Sequence, residues 1–175
     1  LAANELDGIT GILNGTTNYI LTKMAKDHAP FDETLKTAQQ LGYAESNPAA
    51  DIEGTDACRK ICILASLAFG RHIYPEYVHT EGITRLSSQD IAAAAAMGAT
   101  VKLLGVARKA EDGRVFILVA PFVVPHDHVL ANVEDVFNGI LVTGDAIGEV
   151  TFFGRGAGKL PTASAVVADI IDCVK

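Results

Sequence analysis

Residues 100–124 read TVKLLGVARKAEDGRVFILVAPFVV. Two runs rich in Val, Leu, Ile and Phe flank Glu111, Asp112 and Gly113. Asp-Gly between apolar runs is a strong hairpin signal, because glycine takes a positive φ there without steric cost. The stretch is therefore predicted to be two antiparallel strands. A second hairpin is expected around GDAIG, within GILVTGDAIGEVTFFG at 139–154.

Upstream the pattern is mostly helical. DGITGIL at 7–13 alternates as a short strand. NGTTNYILTKMAKDH at 14–28 then offers Asn14, Thr16 or Thr17 as helix caps ahead of Tyr19, Ile20 and Met24. Pro30 stops that helix, and FDETLKTAQQLG gives a second amphipathic one ended by Gly42. A third is expected from about Thr55 to Phe69, closing at Gly70. RHIYPEYVHTEGITRL reads as irregular or short-stranded. SSQDIAAAAAMG reads as a helix with Ser87 or Ser88 as cap. The chain ends in a glycine-rich loop, GRGAG, and a helix begun near Pro161 or Thr162. This order predicts an α+β fold, with helices packed on one face of a mostly antiparallel or mixed β-sheet.

A chain of 175 residues suits one domain with a substantial core. No apolar run is long enough to span a bilayer, since IAAAAAMGATVKLLG and ASAVVADII are broken by Gly or Asp. No basic segment followed by a cleavable apolar one opens the sequence, so a cytoplasmic location is expected. The net charge of −7 argues against nucleic acid or an anionic membrane as partner. Cys58, Cys62 and Cys173 read as buried free thiols rather than a disulfide framework or a metal site. The sequence has no initiating Met and enters structured-looking sequence at once, which suggests a piece of a longer polypeptide.

The candidate chemistry lies at 41–60, LGYAESNPAADIEGTDACRK. Glu45, Asp51, Glu53, Asp56, Arg59 and Lys60 crowd the entrance to a helix that continues as ICILASLAFG and reads as buried. Asp56 and Lys60 are one turn apart on one helical face. A lysine between a low-dielectric core and a carboxylate is pulled both ways, which suits a group that gives up and regains a proton. The plainer reading of the same spacing is a solvent-facing i,i+4 ion pair of small energetic value.

Three stretches carry a family resemblance: GILNGTTNYIL, then LGYAE-x-x-P-x-x-D-I-x-G-x-D-A-x-x-K, then GRGAGKLPTASAVVADI. Together they resemble homoserine dehydrogenase over nearly the whole chain. The resemblance implies an enzyme of the aspartate pathway, on the way to threonine, methionine and isoleucine. It would reduce L-aspartate 4-semialdehyde to L-homoserine with NADPH or NADH. It also implies that 1–175 is the substrate-binding, dimerising α+β domain that follows a Rossmann domain, with 159–175 as the helix returning toward that domain. Carried over by position, Lys60 falls on the family's catalytic proton donor. Glu45 and Asp56 fall on acids that hold the polar groups of homoserine, and Asp51 on a further acid of the motif. Gly42 matches a glycine near ligand and nicotinamide, and Gly158 a glycine of the closing loop beside the cofactor. Further implications are a homodimer and a monovalent cation near the domain hinge, bound by residues upstream of Leu1. Asn47 departs from the aspartate common before the proline, and Arg155 from a smaller residue or proline in the glycine loop.

Other readings are weaker. GRGAG follows a strand and opens a helix, but the third glycine of G-x-G-x-x-G would fall at Lys159, so a dinucleotide fingerprint is not expected here. The nucleotide domain being absent, the isolated chain is expected not to turn over. His126 and His128 lack a paired third metal ligand, and no metal site is expected. Asn14 in NGTTN fits a glycosylation acceptor only in an exported protein, and Ser164 lacks the G-x-S-x-G elbow. A non-catalytic dimerisation or ligand-binding module of the same fold is the alternative function, but it has no reason to keep Lys60, Asp56 and Glu45 together.

Overall fold

Both expected hairpins form in the computed structural model, which describes residues 1 and 3–174. The first pairs β3 (Ala99–Lys109) with β4 (Val115–Pro125), and the second pairs β5 (Phe137–Gly144) with β6 (Gly148–Arg155). β1 (Leu6–Ile12) and the short β2 (His79–Thr80) complete one six-stranded sheet in the order β2-β4-β3-β1-β5-β6. Every pairing is antiparallel except β2 with β4, so the sheet is mixed. The first strand of the chain thus lies between the two hairpins, bonded to β3 on one side and β5 on the other.

Among the described residues six α-helices accompany the sheet: α1 (Gly15–Lys26), α2 (Phe31–Gln40), α3 (Ala49–Ile52), α4 (Thr55–Phe69), α5 (Ser88–Ala96) and α6 (Lys159–Cys173). Asn14 caps α1, its side-chain oxygen accepting from the Thr17 amide. Ser87 and Asp90 form a capping box at α5, which satisfies two of the amides that a helix start leaves open. The main core lies between helices and sheet, around Leu13, Ile20, Met24, Ile61, Ala65, Leu103 and Val119. A smaller cluster forms where the 3-10 turn Val129–Asn132 closes over Ile12, Leu104 and Leu141.

Two glycine positions set the approach of α4. Gly54, at φ 83°, makes the reversal between α3 and α4 that an L side chain rarely tolerates. Gly105 on β3 has no side chain; a Cβ there would sit 3.0 Å from Ile61 and from Leu13. The fully buried Ile61 therefore drops onto the strand, contributing about 2 kcal/mol of apolar burial. Its neighbour Lys60 is held at the sheet's end beside Leu13.

Four local expectations change. The charged loop contains a helical turn, α3, because Pro48 fixes the backbone just ahead of it and frees no donor of its own. α6 begins at Lys159, two residues before Pro161, since proline is tolerated in a first turn. Cys58 and Cys62 are buried free thiols, but Cys173 is exposed on α6. Finally, α4 is buried on one face only: Ile63 and Leu67 are 60% and 78% exposed, opposite the stripe that packs on the sheet.

Candidate active site

The NGTT turn that starts α1, the α3 turn and the first turn of α4 meet at one place. Lys60 Nζ donates to Asp56 Oδ2 at 2.7 Å and to the Leu13 carbonyl at 3.1 Å. Asn14 Nδ2 donates to the same Asp56 Oδ2 at 2.9 Å and to Asp51 Oδ1 at 2.7 Å. A lysine and two acids, from positions 51, 56 and 60, are thus joined through one buried amide. Asn14 is only 5% exposed, whereas the side chains of Lys60 and Asp56 are 47% and 31% exposed. The cluster accordingly sits on an open face, its base in the core and its charged tips toward solvent.

The other expected positions make no hydrogen bond or ion pair with this cluster among the described residues. Gly42, at φ 74°, has open space where a side chain would project. The next residue, Tyr43, accepts from the Thr16 hydroxyl at 2.7 Å through its carbonyl, tying this loop to the start of α1. Glu45 is exposed. Its backbone carbonyl accepts from Gln39 Nε2 at 3.1 Å, and its carboxylate makes no hydrogen bond or ion pair among the described residues. Gly158 is the residue before α6, with φ 129°. A cavity of about 370 Å³ lined by Glu53, His79, Glu81 and Arg85 lies beyond the Glu53 turn and includes none of the clustered residues.

Sequence reasoning missed two polar anchors. Asn14 was legible as a cap, but its bridging of two carboxylates depends on a loop 37 residues away. Lys102 is 2% exposed on β3, donating to Val133 O at 2.6 Å and Asn18 Oδ1 at 3.1 Å. Burial lowers its pKa to about 8, against opposing attraction from Glu134 and Asp135. A single lysine within the apolar run VKLLG was the available signal. On α4, burial and then the neighbouring Cys58 push the Cys62 thiol up to about 12, so it is an inert core thiol at neutral pH.

A partly exposed lysine held between a carboxylate and a carbonyl is suited to proton transfer, and its α+β platform leaves one side open. Comparison with known proteins gives this arrangement its class. The homoserine dehydrogenase family model matches residues 1–171. Among curated relatives, the homoserine dehydrogenase of Synechocystis sp. is 53% identical over 99% of this chain, and that of Bacillus subtilis 42% over 100%. A solved homoserine dehydrogenase from Thiobacillus denitrificans superposes with a TM-score of 0.95 at 48% identity, over 98% of this chain. A hyperthermophilic archaeal homoserine dehydrogenase mutant in complex with NADPH superposes at 0.80 with 30% identity, covering 98% of this chain and 48% of that one. The class is an oxidoreductase family. The chain belongs to the homoserine dehydrogenases, and it spans about 40% of the length of the relatives it matches.

Proposed function

We propose that this chain is the substrate-binding domain of an NAD(P)-dependent homoserine dehydrogenase, reducing L-aspartate 4-semialdehyde to L-homoserine in the cytoplasmic route to threonine, methionine and isoleucine. The observation that carries this reading is the Lys60–Asp56 pair tied through Asn14 to Asp51. The substrate is an amino acid with an aldehyde at its far end. Its ammonium needs acids, which Asp51, Asp56 and the exposed Glu45 supply. Its carbonyl oxygen needs a proton donor. Lys60 delivers that proton and its charge stabilises the oxyanion as it forms.

The residues present also fit a cofactor at the edge of the domain. Gly42 has open space where a side chain would project, and Gly158 brings a glycine loop to the N-terminus of α6. Backbone of that kind admits close approach by a ligand. A bound nicotinamide supplies the hydride. Its nucleotide half belongs to a separate Rossmann domain, toward which α6 (Lys159–Cys173) extends. A monovalent cation at the hinge, bound upstream of Leu1, belongs to the same reading.

The test uses a full-length protein in which this chain replaces the corresponding region of the Synechocystis relative. This chimera is expected to oxidise NADPH or NADH only when aspartate semialdehyde is supplied. The 175-residue chain alone is expected to show no turnover. Robust oxidation by the isolated chain, or an inactive but well-folded chimera, counts against the assignment.

The same reading gives the chain a second copy as partner. The cross-strand register puts Phe116 and Phe153 on the sheet face away from the main core, and they are 56% and 63% exposed. Exposed aromatic side chains on a sheet face are typical of a surface that another subunit covers. Sedimentation equilibrium at micromolar concentration is expected to give a dimer for the wild type and a monomer for Phe153→Glu. A wild-type monomer removes the dimer.

A further inference from the structure

The geometry points to Asn14 as a positioning residue that holds Asp51 and Asp56 together as one seat for the substrate ammonium, a role separate from its capping of α1. The inference rests on the dehydrogenase reading above and adds to it a residue with no assigned part.

One amide performs both tasks. Asn14 Oδ1 accepts from the Thr17 backbone amide at 2.9 Å and from the Thr17 hydroxyl at 3.0 Å. The backbone donor fixes which end of the amide is oxygen, so the nitrogen must face the other way. Its two hydrogens then go to two different carboxylates, Asp51 Oδ1 and Asp56 Oδ2. A cap needs only the oxygen. The nitrogen's two short bonds are surplus to helix initiation.

The electrostatics explain what those bonds do. Two carboxylates brought onto one nitrogen repel each other, and repulsion would turn them apart toward solvent. Lys60 offsets the charge of Asp56 alone, since Asp51 has no lysine or arginine partner among the described residues. The Asn14 amide therefore keeps Asp51 beside Asp56. Asp51 Oδ2 and Asp56 Oδ1 are left without hydrogen bonds among the described residues. Each acid thus keeps one oxygen free to accept from an incoming ammonium. Lys60 keeps its own anchor on the Leu13 carbonyl whatever residue 14 is. Loss of the Asn14 nitrogen should therefore impair recognition of the amine more than delivery of the proton.

Asn14→Ser separates the two tasks, because serine caps a helix well but has no second donor to bridge two acids. In the chimera described above, calorimetric titration compares L-homoserine with 4-hydroxybutanoate, its analogue lacking the amine. Asn14→Ser is expected to raise the Kd for L-homoserine roughly 10- to 100-fold, the range for losing a charge-assisted bond. The Kd for the analogue should change less than about threefold, within the range of a lost neutral contact. Equal weakening of both ligands, or none, overturns the inference. Should Asn14→Ser fail to fold, Asn14→Thr keeps the cap and the same comparison applies. Lys60→Ala tests the parent reading separately. If turnover survives that change, Lys60 is not the proton donor, and the positioning role still stands or falls on the amine comparison. If turnover is lost while Asn14→Ser retains wild-type selectivity for the amine, only the positioning role fails.

Discussion

Lys60→Ala in the chimera is expected to lower kcat by roughly 100- to 10,000-fold, the span that a positioned general acid contributes. The change removes the only ammonium of the cluster, which Asp56 and the Leu13 carbonyl hold at 2.7 and 3.1 Å. Folding should survive, because the side chain is nearly half exposed and an exposed ion pair stabilises by less than about 1 kcal/mol. Asp56 keeps its bond from Asn14, so its carboxylate is not orphaned. A steady-state assay beside a thermal melt checks both points. Loss of turnover with an unchanged melting temperature is the predicted pair of results, and unchanged turnover removes Lys60 from the chemistry. Lys60→Arg retains a charge but is a far poorer proton donor, so it should recover little.

The second large effect concerns stability. Lys102 is buried and its pKa is lowered to about 8, well below that of an exposed lysine. Below about pH 8 the residue is protonated in both folded and unfolded chains, and the cost of burying the charge is fully present. As pH rises above that point, the folded form sheds its proton while the unfolded form keeps it. The unfolded chain then binds more protons, so stability rises with pH up to the unfolded pKa. Urea denaturation should show a gain of about 1 kcal/mol between about pH 7 and about pH 9. Cys62 works in the opposite sense at higher pH: its thiol stays protonated in the folded chain after it ionises in the unfolded one. Lys102→Met removes the lysine's share alone. The difference between wild type and variant should therefore shrink by that amount across the interval, and a difference independent of pH would refute the assignment.

The two hairpins, the cap at Asn14 and the limits of α4 were legible because each depends on neighbours within a few residues. Glycine after a polar break, an amide before a helix and glycine at its end act locally. The place of β1 between β3 and β5 was not legible, since it depends on pairing across about a hundred residues that no local pattern encodes. The site divides in the same way. Asp56 and Lys60 are one turn apart on a single helix, so their contact follows from spacing. Asn14 reaches Asp51 on α3 and Asp56 on α4 across 37 and 42 residues, a convergence set by the packing of separate elements. Glu45 lies on an exposed loop, so no packing or hydrogen bond of its carboxylate ties it to the cluster among the described residues. α4 looked wholly buried because Ile63 and Leu67 continue its apolar character onto a face that the core does not use.

The seating of the first strand inside the sheet has a consequence for synthesis. Residues 6–12 leave the ribosome well before their partners at 99–109 and 137–144. Both edges of this strand remain unsatisfied until those partners emerge, and they are open to pairing with a neighbouring nascent chain. Closing the sheet must wait for the second hairpin, a long-range step that makes maturation slow relative to the helices already formed.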